Sequence, residues 1–111
     1  PGAPDWNPDA SQSAAAQAMQ MGMHCDGMHY FGFPGRGGPS STRGVLCVNN
    51  EYTHEEILHG AEGLTGGAGV TIAKVRKSQA GHGVSIFEVR QSSGKWSVVR
   101  NSGFGRRLTA N

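Results

Sequence analysis

The sequence predicts a mainly β fold: antiparallel sheet, one or two short helices, and glycine-rich loops. Three observations carry that reading. Apolar and polar residues alternate over residues 83–90 and again over 95–100, with Gln91-Ser92-Ser93-Gly94 between them, the pattern of two strands joined by a tight turn. Apolar residues make up only 36% of the 111, and glycines number 18, a composition that favours short elements and raises the backbone entropy lost on folding. Finally, two polar clusters, Cys25-Asp26-Gly27-Met28-His29-Tyr30-Phe31 and Asn49-Asn50-Glu51-Tyr52, each adjoin a strand-like run.

Along the chain, residues 1–20 form a leader with Pro1, Pro4 and Pro8, followed by an Ala- and Gln-rich stretch that suits either a short helix or an extended segment. Aromatic residues over 28–33 favour a strand, and Pro34-Gly35-Arg36-Gly37-Gly38-Pro39-Ser40-Ser41 reads as a loop. Gly44-Val45-Leu46-Cys47-Val48 is a continuous apolar run, as expected of a strand buried on both faces. Thr53 is placed to cap a short helix over 54–59, with Glu55 and Glu56 in its dipole-favoured first turn. Five glycines over 60–69 predict an irregular loop. Thr71 is placed to cap a helix from Ile72 through Ser78, with Gly81 as its left-handed terminator and Lys74, Arg76 and Lys77 on its surface. After the hairpin, residues 104–109 supply a further strand. The resulting meander fits either a small α+β domain or one blade of a β-propeller.

Charge excludes some functions. Ten Lys and Arg against eight Asp and Glu leave a net charge of +2 with no basic cluster, so no nucleic-acid partner is expected. No apolar run approaches the roughly 20 residues of a membrane helix, so no membrane partner is expected either. Two cysteines, Cys25 and Cys47, are too few for a disulfide scaffold. The chain starts at Pro1 without a Met and stops at Asn111 just after a strand-like run, which reads as a piece of a longer protein.

Asp26, Asn49, Asn50 and Glu51 offer the hard oxygen donors that calcium takes six to eight of. Against this stands the commoner role of a strand-end carboxylate, which is to cap a turn. Neither glycine-rich stretch ends in the Gly-Lys-Ser/Thr of a phosphate loop. Arg76, Lys77 and His82 could meet an anion, although exposed helix cations are usually solvated. His54 and His59 are five apart and read as surface residues, while Cys25 beside Asp26 is a more plausible ligand than Cys47 inside its apolar run.

Three motifs occur in order: Asp26-Gly27-Met28-His29-Tyr30-Phe31; Arg43-Gly44-Val45-Leu46-Cys47-Val48-Asn49-Asn50-Glu51-Tyr52-Thr53; and Val75-Arg76-Lys77-Ser78-Gln79-Ala80-Gly81-His82-Gly83-Val84-Ser85. Together with Trp96-Ser97-Val98-Val99-Arg100 and Arg106-Arg107-Leu108-Thr109, they resemble the N-terminal part of the PhoX-type alkaline phosphatases. The resemblance implies a secreted or periplasmic β-propeller, several times longer than this chain, that uses calcium and iron to hydrolyse phosphate esters. Residues 21–111 would be part of that propeller and 1–20 its leader, with the rest of the propeller missing. Asp26 and Glu51 are the implied metal ligands and Asn49 a weaker one; no catalytic residue is transferred. The pattern departs from Asn-His-Glu-Tyr at Asn50 and from Ala-Ala-His at Gly81. A fragment of this kind is expected to be inactive alone. A propeller that binds ligands without catalysis, with calcium in a structural role, is the alternative.

Overall fold

The computed structural model describes residues 2–111. A five-stranded, wholly antiparallel sheet organises it, from β1 (Cys25–Gly35), β2 (Gly38–Asn50), β3 (Gly83–Ser92), β4 (Lys95–Val98) and β5 (Arg106–Thr109). The order is β1-β2-β3-β4, with β5 also beside β3. β4 pairs with Val89 to Ser92, and β5 with Gly83 to Ile86. The two therefore form one interrupted edge, and residues 99–105 loop out between them over Glu88, where Val99 N donates to Glu88 O at 2.9 Å. The sheet has four rows.

Local chemistry explains the turns. Ser93 and Gly94 both have positive φ, 50° and 77°, as a two-residue type I′ hairpin requires. The expected loop over 34–41 is shorter in fact: only Arg36 and Gly37 lie between β1 and β2, and Pro34 faces Pro39 across the ladder. Proline is compatible with extended backbone, and a hairpin tip does not demand its missing N–H.

Helix α1 (Ala14–Gln17) is capped by Ser13, whose Oγ accepts from Ala16 N at 3.2 Å. Helix α3 (Ile72–Gly81) starts as the sequence predicts, with Thr71 Oγ1 accepting from Lys74 N at 3.3 Å. Two cap assignments differ. His54, not Thr53, is the N-cap of α2 (Glu55–His59), because the Thr53 hydroxyl is spent on the Glu55 carboxylate. Gly81 is the last helical residue of α3, and the positive φ falls on Gly83, at 115°. The reason for glycine at 81 is space: a Cβ there would clash with Thr53 Cγ2.

Burial is sparse and mostly polar. Val48, Leu58, Ala80 and Val89 are the buried hydrophobic residues, alongside buried Gln17, Asn50, Lys77, Ser85, Glu88 and Ser102. β2 is not buried on both faces as expected; Val45 and Cys47 on one face and Leu46 on the other are only half-buried. Lys77, read from sequence as a surface residue, is buried, with Nζ donating to Ala10 O at 2.7 Å and to Leu58 O at 2.5 Å. It thereby fastens the segment before α1 to α3, against which α1 packs. The long dimension is 57 Å against 21 Å in the other two, and the radius of gyration is 16.3 Å. A compact chain of this length would have about 13 Å.

Candidate functional site

The starts of β1 and the end of β2 meet where Cys25 faces Asn50, and one residue further Glu51 N donates to His24 O at 3.2 Å. Between Cys25 and Met28 the register shifts. Such an irregularity bends a strand and re-aims its side chains. Here it puts Asp26 against Asn49, whose Nδ2 donates to Asp26 Oδ1 at 2.6 Å. That bond is the first cause holding the Asp26 carboxyl below its ordinary 3.8, so the group is ionised at neutral pH. Asn49 and Asp26 are thus in contact, and the exposed Glu51 follows at the same strand end. Among the described residues, no three His, Cys, Asp or Glu side chains are grouped closely enough to hold a metal ion.

Asn50, counted from sequence as a further oxygen donor, points the other way and is 1% exposed. Its Oδ1 accepts from Ser85 Oγ at 2.6 Å and from Arg107 Nη1, and its Nδ2 donates to Cys25 Sγ at 3.3 Å. Its oxygen is therefore already occupied. Arg107, which sequence reasoning treated only as part of a strand, gathers this network. Nothing in its local pattern marks it, because its partners lie far away in the chain.

A second group flanks the site. His24 has a left-handed φ of 48° and stacks on Tyr52 with ring centroids 3.7 Å apart, and its ring lies 5.8 Å from that of His54. A non-glycine residue in that conformation costs on the order of 1–3 kcal/mol and is held by its surroundings. His54 is exposed, as expected, but His59 is not: its side chain is 3% exposed, lying 3.1 Å from Glu55 Oε2 and 3.0 Å from Ser78 Oγ. Burial pushes the His59 imidazole down. A single ring nitrogen, Nε2, meets both partners, so this is not the two-nitrogen relay of a nucleophilic triad. The anion group imagined for Arg76, Lys77 and His82 is not formed, since Lys77 is engaged with backbone carbonyls and His82 Nδ1 lies 2.8 Å from Ser78 O. A cleft of about 880 Å³ lies elsewhere, between Met19, Met21 and strands β3 to β5, without Asp26, Asn49 or Glu51.

The sequence pattern of the family described as Alkaline phosphatase PhoX matches residues 1–111. The chain belongs to the PhoX alkaline phosphatase family. Its backbone is also similar to Pseudomonas fluorescens PhoX in complex with vanadate, a transition state analogue, with a TM-score of 0.82 and 36% identity over 98% of this chain and 17% of that one. The chain thus spans 17% of the length of that PhoX. No curated protein matches it. The mainly antiparallel fold stands as the sequence predicts. No helix among the described residues is long and apolar enough to cross a membrane.

Proposed function

We propose that this chain is part of a longer, metal-dependent phosphatase that hydrolyses phosphate monoesters and is inactive alone. The observation that carries the reading is the match along the whole chain to PhoX, one member of which binds vanadate. On this reading residues 21–111 form part of a β-propeller, residues 1–20 are a leader laid against it, and the protein works in the periplasm or outside the cell. The four-row sheet supports the propeller, whose blades are typically four-stranded.

Calcium and iron are the metals we assign. The residues fit calcium as part of a donor set. Asn49 spends its amide nitrogen on Asp26, which leaves its carbonyl oxygen free, and Asp26 keeps its Oδ2 while remaining ionised. Glu51 adds a second exposed carboxylate. Calcium takes six to eight oxygens, so the remaining donors come from other parts of the protein. When bound, the metals would neutralise phosphoryl oxygens and activate an oxygen nucleophile. The work of this chain is to hold Asp26, Asn49 and Glu51 at a rigid strand end, which positions donors better than a loop does.

The test is an assay of the full-length protein with a chromogenic phosphate ester, with and without a calcium chelator, together with elemental analysis of Asp26→Ala and Glu51→Ala. Activity should vanish on chelation and return with metal, and each variant should carry less metal. Hydrolysis indifferent to the chelator would overturn the reading, and unchanged metal content would remove both carboxylates from the site.

A further inference from the structure

We propose that Arg107 is a positioning residue for the strand-end site: its guanidinium locks Asn50 inward and so holds Asn49 outward against Asp26. The inference rests on the phosphatase reading for its link to activity, and on geometry for the rest.

In an extended strand, neighbouring side chains point to opposite faces. Asn50 therefore sets the direction of Asn49, and only a firmly held Asn50 keeps Asn49 against Asp26. Both polar atoms of the Asn50 amide are engaged, Oδ1 by Ser85 and Arg107 and Nδ2 by Cys25. Arg107 reaches it from β5, 57 residues away. Its Nη1 also donates to Ser85 Oγ at 2.8 Å, and its Nη2 donates to the carbonyls of Ala80 at 2.8 Å, His82 at 3.1 Å and Gly81 at 3.4 Å. A cation on the last carbonyls of α3 is favoured by the helix dipole. One planar fork thus joins the end of β2, the start of β3 and the C-terminus of α3. Its Nε is buried without a partner, a sign that the group sits where the two ends of the fork dictate and not where every donor is satisfied. Gly22 packs against the same junction, since a Cβ there would clash with Gly81 O and lie 2.7 Å from Asn50 Cβ.

The experiment uses Arg107→Lys in the full-length enzyme. Lysine keeps the charge but is a point donor that cannot span Asn50 and the α3 carbonyls together. The calcium concentration needed for half-maximal activity should rise by about 10- to 100-fold, the usual cost of losing a partner that orients a metal ligand. Arg106→Lys, an exposed neighbour, should leave it unchanged. A lowered melting temperature with an unchanged calcium requirement means a merely structural role and overturns the inference. If Arg107→Lys does not fold, Ser85→Ala, which removes one donor from Asn50 Oδ1, carries the same expectation with a smaller shift. A crystal structure of the variant gives a second readout: loss of the 2.6 Å Asn49–Asp26 bond supports positioning, and its persistence overturns it. A parent that hydrolyses no phosphate ester sinks the phosphatase reading alone, and the Asn49–Asp26 geometry then decides the positioning claim.

Discussion

Glu88 shows how a single residue is defined by its surroundings. It sits in the central strand β3, 3% exposed, where an unpaired carboxylate would be costly. Ser102 Oγ donates to its Oε2 at 2.6 Å and Arg43 Nε to its Oε1 at 2.8 Å, while the Arg43 guanidinium lies 5.2 Å from the centre of the Phe33 ring. The Ser102 bond first, and Arg43 after it, hold the carboxyl below its ordinary 4.5. A depressed folded value means that this contribution to stability is fully present above pH 4.5 and is lost as pH falls through the folded value. Glu88→Gln in the full-length protein should therefore lower the melting temperature at neutral pH, yet flatten its acid dependence below that point. Parallel melting curves for the two proteins across the acid range would contradict the assignment.

Among the elements, α2 and α3 are joined by an apolar contact, a polar cluster and the bond from Lys77 Nζ to Leu58 O. Leu58 is 1% exposed and lies near Gly81, where a Cβ would be 3.6 Å from Leu58 Cδ1. Around it, Ser78 Oγ donates to Glu55 Oε2 at 2.8 Å and His59 closes the group. The glycine-rich loop that follows is held from α3 by Lys74, whose Nζ donates to Gly66 O at 2.6 Å and Leu64 O at 3.2 Å. Leu58→Ala leaves a cavity that these fixed polar partners cannot collapse to fill, so the pair of helices should lose about 2–5 kcal/mol of local opening free energy. Hydrogen exchange of the α2 and α3 amides in the full-length protein measures it. Exchange as slow as in the unsubstituted protein would mean that Leu58 is not the contact that seats α2.

At the scale of the whole molecule, the described chain has more buried polar residues than buried hydrophobic ones, while Met28, Phe31, Val98 and Leu108 are each more than half exposed. Burial of apolar area is the main favourable term in folding, and here too little of it is available to offset ordering a chain with 18 glycines. β1 also presents an unpaired edge, a site for wrong association. The isolated 111-residue chain should therefore show no cooperative thermal transition by circular dichroism. A sharp two-state melt would show that it is a domain in its own right.

Local signals determined much of this from sequence alone: the alternation of β3 and β4, the Ser93-Gly94 turn, the Thr71 cap, the irregular loop over 60–69, and the collection of Asp26, Asn49 and Glu51 near strand ends. Each depends on the residue and a few neighbours, because side-chain period, turn φ and capping geometry are local properties. The tertiary structure alone decided which polar groups are paired. It turned Asn50 from a candidate donor into an inward anchor, buried Lys77 and His59, spent Thr53 on Glu55, and revealed Arg107. Those outcomes depend on partners separated by up to 67 residues, and hydrogen-bond partners at that range are set by sheet register and helix docking, which no local pattern encodes.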